Sequence, residues 1–293
     1  MDRPVPPPPW SRRQFLGAHA TLAIATAVGV SHSRLAGAPA PAKPVGPADA
    51  FDPAIERFMQ DRAVPGGALA VVKDGRLVHA RGYGWADRDR QDPVNPTSLF
   101  RIASVSKPIT AIAILQLAGR GRLDLNARVF GLLQLESRIP KGRTLDERWK
   151  RVTVRQLLQH TGGWDRDRSF DPMFRSGPIA ESLGEPAPAS AGAVIRYMLG
   201  QPLDFDPGTR HAYSNFGYCL LGRVIEQISG QGYEPFVREH VLAPAGITRM
   251  HLGASRDRAP GEVRYYMPGH EQVPSVFPGT PGKVDSQIGR AHV

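Results

Sequence analysis

The first clear pattern of apolar and polar positions lies at residues 52–59, where Asp52-Pro53 reads as an N-cap followed by a proline at the first helical position, and Ile55, Phe58 and Met59 fall on one face. A short helix is predicted there. Two apolar-rich runs follow, Gly67 to Lys73 and Arg76 to Gly84, joined by Asp74-Gly75. Asp-Gly between such runs is a strong hairpin signal, because the favoured two-residue turn needs a positive φ at both central positions. Asp87, Asp89 and Asp92 read as a charged surface turn, since no glycine supplies the sharp bend of a calcium loop.

From Ile109 to Leu115 the chain is apolar nearly all round, the pattern of a helix buried in the middle of a protein. Thr153-Val154-Arg155-Gln156 fits a capping box, opening a short helix that carries Leu157 and Leu158 and ends near Gly162-Gly163. Residues 165–190, rich in Pro, Gly and charge, are expected to form a long loop walling a cleft. Ser190 is expected to cap a helix through Val194, Ile195, Met198 and Leu199. After a turn at Pro207-Gly208, a helix carrying Leu220, Leu221, Val224, Ile225 and Ile228 stops at Gly230.

Composition narrows the class without naming a function. With 293 residues, 41% hydrophobic and 22% charged, the chain is long enough for one large or two modest globular domains. The net charge of +10 is scattered, and no dense Lys/Arg run is interleaved with aromatics, which argues against nucleic-acid binding. Cys219, the single cysteine, lies in an apolar run and reads as a buried small hydrophobe. The nine histidines include no H-x-x-x-H pair, which argues against metal hydrolysis. At the N-terminus, Ser11-Arg12-Arg13-Gln14-Phe15-Leu16-Gly17 precedes an apolar stretch free of charge, Ala18 to Val30. That order resembles a twin-arginine export signal. Residues 1–42 are therefore expected to be a leader handled by the twin-arginine export machinery, cut after Ala40-Pro41-Ala42, with a periplasmic or secreted product.

Candidate chemistry centres on Ser104-Val105-Ser106-Lys107. On a helix a lysine three residues after a serine lies one turn away on the same face, so Lys107 can reach Ser104 locally. A helix start also carries unpaired N–H groups and partial positive charge, which favour the negative charge that develops when a serine attacks a carbonyl. Further along, Tyr213-Ser214-Asn215 supplies a second proton carrier and an amide. None of the serines sits in G-x-S-x-G, so an α/β-hydrolase elbow is excluded.

Four more segments accompany these motifs: Leu99-Phe100-Arg101-Ile102, Leu157-Leu158-Gln159-His160-Thr161 with the paired glycines, Pro207-Gly208-Thr209, and Ser214-Asn215-Phe216-Gly217-Tyr218. From about Ala54 to Tyr266 the chain thus resembles the serine β-lactamase and penicillin-binding-protein superfamily, in particular its class C-like branch with carboxylesterases and D-amino-acid peptidases. The resemblance implies an α/β fold of the α+β type. An antiparallel sheet flanked by helices would come from residues 43–105 and about 240–287, and an all-helical region from about 106–239. It also implies a serine hydrolase acting on an ester or amide (β-lactam, carboxylic ester or D-amino peptide) with no metal or organic cofactor. Ser104 would attack the carbonyl and Lys107 hold or take its proton. Tyr213 would relay that proton to the leaving group, and Asn215 would hydrogen-bond Lys107 or the substrate. His160, inside the L-L-x-H-T segment, is expected to support local structure rather than act as a triad base. Lys107 and Tyr213 both stay open as the resting base, and a non-catalytic binding or regulatory protein that retains the fold is the alternative.

One part of the family pattern is missing. A third motif, Lys or His, any residue, then Gly, is expected after the tyrosine, yet His160-Thr161-Gly162 precedes Tyr213 and no match follows it. The expectation is a domain at 43–287 with an incomplete sheet and a non-native tail at 288–293. A fragment of residues 43–293 is expected to be poorly folded and inactive, since losing one oxyanion donor costs about 10²–10³ in rate.

Overall fold

The computed structural model describes residues 51–253, 258–266 and 272–273, all within one compact unit at 41–293. The expected leader at 1–42, the tail at 288–293 and most of the stretch after Tyr266 lie outside the described residues.

Helix α1 spans Asp52–Asp61 with Phe51, not Asp52, at the N-cap. Asp52 caps nothing, because its carboxylate is turned to the neighbouring sheet, where it accepts from the Tyr83 hydroxyl at 2.7 Å and pairs with Arg81. Strands β1 (Gly66–Lys73) and β2 (Arg76–Asp87) form the predicted hairpin. Lys73 faces Arg76, and the intervening Asp74 and Gly75 have φ of 51° and 73°, the left-handed pair this turn requires. Strand β3 (Asp92–Pro93) pairs with the end of β2, giving the order β1-β2-β3 among the described residues. The turn between them is not a plain surface feature. Asp87 is 1% exposed and pairs with Arg264 at 2.6 Å, with Arg258 at 3.8 Å and Arg90 at 3.9 Å nearby. A buried carboxylate facing three guanidiniums pins this corner to the segment around residues 258–266.

The helical part runs through α2 (Ser106–Gly119), α3 (Val129–Leu132), α4 (Val154–Leu158), α5 (Ser176–Ser182), α6 (Ala191–Leu199), α7 (Asn215–Ser229) and α8 (Tyr233–Val237). Helix α2 departs from the all-round burial expected of it. Ile114 and Leu117 are fully buried, whereas Ile112 and Leu115 are 46% and 50% exposed among the described residues. The capping box at α4 is formed in both directions: Gln156 N–H donates to Thr153 Oγ1 and Thr153 N–H to Gln156 Oε1. Ser190 caps α6 by accepting from Ala193 N–H at 3.1 Å, and α7 ends at Gly230 with φ 75°. Residues 165–190 are not one loop, since they hold α5 and a short 3₁₀ turn at Pro172–Phe174. Gly177 and Pro178 look like loop residues, but both stand in the first turn of α5, where a missing N–H breaks no helical bond.

Strands β4 (Tyr265–Tyr266) and β5 (Gln272–Val273) pair antiparallel. The chain just before them runs along the start of the nucleophile segment: Leu99 N–H donates to Gly261 O at 2.8 Å and Val263 N–H to Leu99 O at 3.0 Å. The architecture is a mixed α/β fold with a small antiparallel sheet beside a helical region. Its main core surrounds α7, where Phe216, Leu220, Leu221, Val224 and Ile225 are at most 1% exposed. Trp149, Trp164 and Phe216 meet edge to face behind the start of that helix. Cys219 is buried in the same core, and burial pushes its thiol up to about 11, so it serves as an apolar filler.

Candidate active site

The residues singled out around Ser104 converge on one spot, where three elements meet. Ser104 sits in the 3₁₀ turn Ala103–Val105 that leads directly into α2. Ala103 adopts φ 45°, a left-handed conformation that costs an alanine about 1–3 kcal/mol. The turn leaves Ser104 exposed, while Lys107, one turn later, is 6% exposed beneath it. From the second element come Tyr213 and Asn215, on either side of the α7 N-cap Ser214, whose Oγ accepts from Gly217 N–H at 3.1 Å.

The distances make a continuous hydrogen-bond chain. Ser104 Oγ lies 2.5 Å from Tyr213 Oη and accepts from Lys107 Nζ at 3.2 Å. Lys107 Nζ also donates to Asn215 Oδ1 at 2.7 Å, and stands 4.7 Å from the Tyr213 ring centre and 5.5 Å from that of Tyr218. Burial holds the Lys107 amine below the ordinary lysine range, against the opposing pull of Tyr213 and Asp171. A serine hydroxyl thus has two proton carriers in direct contact, one of them biased towards its neutral form.

The third element lies in the Pro-, Gly- and charge-rich stretch expected to be a loop. Asp171 caps the turn at Pro172–Phe174, and its Oδ2 accepts from Asn215 Nδ2 at 2.7 Å. Burial raises its pKa above the ordinary aspartate value. Its sequence signal is Asp171-Pro172, an acid before a proline, the same capping cue as Asp52-Pro53. Arg166 from the same segment places its guanidinium 4.9 Å from the Tyr213 ring centre.

His160 does not touch Ser104 through any hydrogen bond of the site. Its Nδ1 accepts from Ser214 N–H at 3.1 Å, its carbonyl accepts from Ala212 N–H at 2.8 Å, and its ring packs between Tyr213 and Tyr218. Its place is behind the tyrosine.

A family model described as Beta-lactamase matches residues 51–286. The chain belongs to the β-lactamase family. Protein flp of Staphylococcus aureus (strain MW2) is 31% identical over 195 residues, which are 66% of this chain and 36% of that protein. The chain therefore spans little more than a third of the length of this curated relative. Among solved structures, the octameric penicillin-binding protein homologue from Pyrococcus abyssi superposes with a TM-score of 0.63 at 25% identity, covering 82% of this chain and 52% of the homologue. A class C β-lactamase in complex with cefoxitin gives a TM-score of 0.63 at 23% identity, covering 83% and 60%, which is a likeness of fold. The β-lactamase family and its mixed α/β fold are those expected from the motifs around Ser104.

Proposed function

We propose that this protein is a serine hydrolase that cleaves a carboxylic ester or amide through an acyl-enzyme on Ser104. The reading is carried by one observation: Ser104 Oγ lies within hydrogen-bond reach of both Tyr213 Oη, at 2.5 Å, and Lys107 Nζ, at 3.2 Å. A serine needs a base to lose its proton as it attacks, and two carriers in mutual contact act as one proton-holding unit.

In this mechanism Ser104 Oγ forms a bond to the substrate carbonyl carbon while its proton passes to the Lys107–Tyr213 pair. The tetrahedral intermediate expels the leaving group, which takes that proton from Tyr213, the carrier nearer the serine oxygen. A water then repeats the sequence in reverse and frees the acid. The Ser104 N–H, near the α2 start, would supply an oxyanion donor in this mechanism. Substrates are small acyl compounds, with carboxylic esters, β-lactams and D-amino peptides as the three classes to compare. Export through the twin-arginine route is part of the same reading and rests on the Arg12-Arg13 leader.

The test is covalent. Incubation of the whole chain with a fluorophosphonate is expected to add one phosphonyl group, mapped by peptide mass spectrometry to Ser104 and absent from Ser104→Ala. A folded chain that takes up no label would overturn the reading and leave a non-catalytic binding protein. Hydrolysis of p-nitrophenyl butyrate, nitrocefin and a D-Ala-D-Ala peptide then separates the substrate classes, and turnover by residues 43–293 that is lost in Ser104→Ala would overturn the expectation that this stretch alone is inactive.

A further inference from the structure

Asn215 has an amide whose two ends are chemically opposite: Nδ2 only donates and Oδ1 only accepts. Lys107 Nζ, a pure donor, requires the oxygen end, and it finds Oδ1 at 2.7 Å. What keeps the amide from turning over is Asp171, whose Oδ2 takes Nδ2 at 2.7 Å while its Oδ1 accepts Met173 N–H at 3.0 Å. Asp171 is itself held by the 3₁₀ turn it caps, with Pro172 and Met173 buried behind it. Asn215 is 4% exposed, so solvent offers its amide little alternative partner.

The carboxylate also supplies charge. It stands one amide away from Lys107, where the surrounding dielectric is low and an opposite charge is felt strongly. The other groups facing Lys107 are the phenols of Tyr213 and Tyr218, the His160 imidazole behind them, and the Arg166 guanidinium, which acts against the ammonium. Among these neighbours Asp171 is the carboxylate.

Resting on the acyl-enzyme reading above, we propose that Asp171 is a positioning residue: through Asn215 it fixes which end of the amide meets Lys107, and its negative charge keeps the Lys107 proton from being lost too easily. The two roles separate by substitution. Asp171→Asn removes the charge and keeps a single acceptor, which serves Asn215 Nδ2 only if its own amide nitrogen is turned to the Met173 N–H, whereas Asp171→Ala removes charge and acceptors together.

The experiment follows the lysine directly. The whole chain, labelled with ¹³C at the lysine ε-carbons, is titrated by NMR, and Lys107 is assigned by its disappearance in Lys107→Arg. Its midpoint is expected to move to lower pH in both Asp171 variants, and the pH dependence of fluorophosphonate labelling is expected to move with it. The plateau labelling rate is expected to fall less in Asp171→Asn, which retains one acceptor, than in Asp171→Ala, where it falls by up to about 10²-fold, the usual scale for a misplaced catalytic group. An unchanged Lys107 midpoint in Asp171→Asn would overturn the proposal, whatever the variant does to stability. Should Asp171→Ala not fold, Asp171→Asn still decides. Should the parent chain not label at Ser104, the hydrolase reading fails while the lysine titration still judges Asp171.

Discussion

The His160 imidazole lies against the Tyr213 ring with 4.7 Å between centroids and 29° between planes, while its Nδ1 accepts the Ser214 N–H at 3.1 Å. An accepting Nδ1 means a neutral ring with its proton on Nε2. Burial first, then the charges of Lys107 and His211, push its pKa down from 6.5 to about 4. Below pH 6.5 the unfolded chain takes up a proton at this residue that the folded chain refuses, so stability is lost as the pH falls towards 4. His160→Asn is expected to flatten that acid limb. Asparagine tolerates the φ of 56° found here, so the backbone is preserved. Thermal melts from pH 7 to 4 test this, and an acid limb equally steep in the variant would refute it.

Lys107 raises a separate expectation, because a partly desolvated amine costs stability that a methionine of similar shape does not. That gain is offset by Asn215 Oδ1, which is left without its 2.7 Å donor at a cost of about 1–3 kcal/mol, so Lys107→Met is expected to melt close to the parent. Fluorophosphonate labelling of Ser104 should fall by about 10²–10⁴, the usual contribution of a positioned proton carrier. A variant that labels at the parent rate would remove Lys107 from the mechanism.

Local features of this architecture were legible in the sequence, and features depending on distant packing were not. The hairpin at Asp74-Gly75, the capping box at Thr153, the cap at Ser190 and the stop at Gly230 each need only a few neighbouring residues, and each is present. Ser104 and Lys107 lie one helical turn apart, so their contact was foreseeable from spacing, and family resemblance brought in Tyr213 and Asn215. Asp171 escaped because its partner lies 44 residues away and its segment looked like loop. Asp87 escaped for a similar reason: nothing near it in sequence says that Arg258 and Arg264 will bury it. For α2, apolar residues all round told its composition but not which face the described residues would cover.

Phe216 ties the site to the core. It follows Asn215 directly, is 1% exposed, and packs edge to face against both Trp149 and Trp164. Phe216→Ala is expected to cost about 3–5 kcal/mol, as emptying a close-packed aromatic position usually does. Phe216→Leu should cost less, because it refills part of the volume. Urea unfolding followed by tryptophan fluorescence measures both, and a loss below about 1 kcal/mol for the alanine variant would mean that the cluster relaxes around the gap.

Gly163 is where the segment carrying His160 is laced to the segment leading into Tyr213. Its carbonyl accepts from Asp204 N–H at 2.8 Å, and the adjoining bonds from Gly208 N–H to Thr161 O and from Ala212 N–H to His160 O, both 2.8 Å, continue the lacing up to the tyrosine. The glycine has φ 115°, and a Cβ on it would stand 2.2 Å from Leu203 Cδ2 and 3.0 Å from the Phe205 carbonyl oxygen. Backbone strain and overpacking therefore add, and Gly163→Ala is expected to lose about 3 kcal/mol or more. Because the displaced strand of chain ends at Tyr213, the folded fraction should also label more slowly at Ser104. Gly208→Ala makes a useful comparison: its φ is 87° and its Cβ would meet Gln156 Nε2 at 2.8 Å, where the cost of giving way is confined to the capping-box bond from Thr153 N–H to that side chain and no backbone atom is struck. The smaller loss is expected there, and chemical denaturation of the two variants side by side would reverse the argument if Gly208→Ala proved the more damaging.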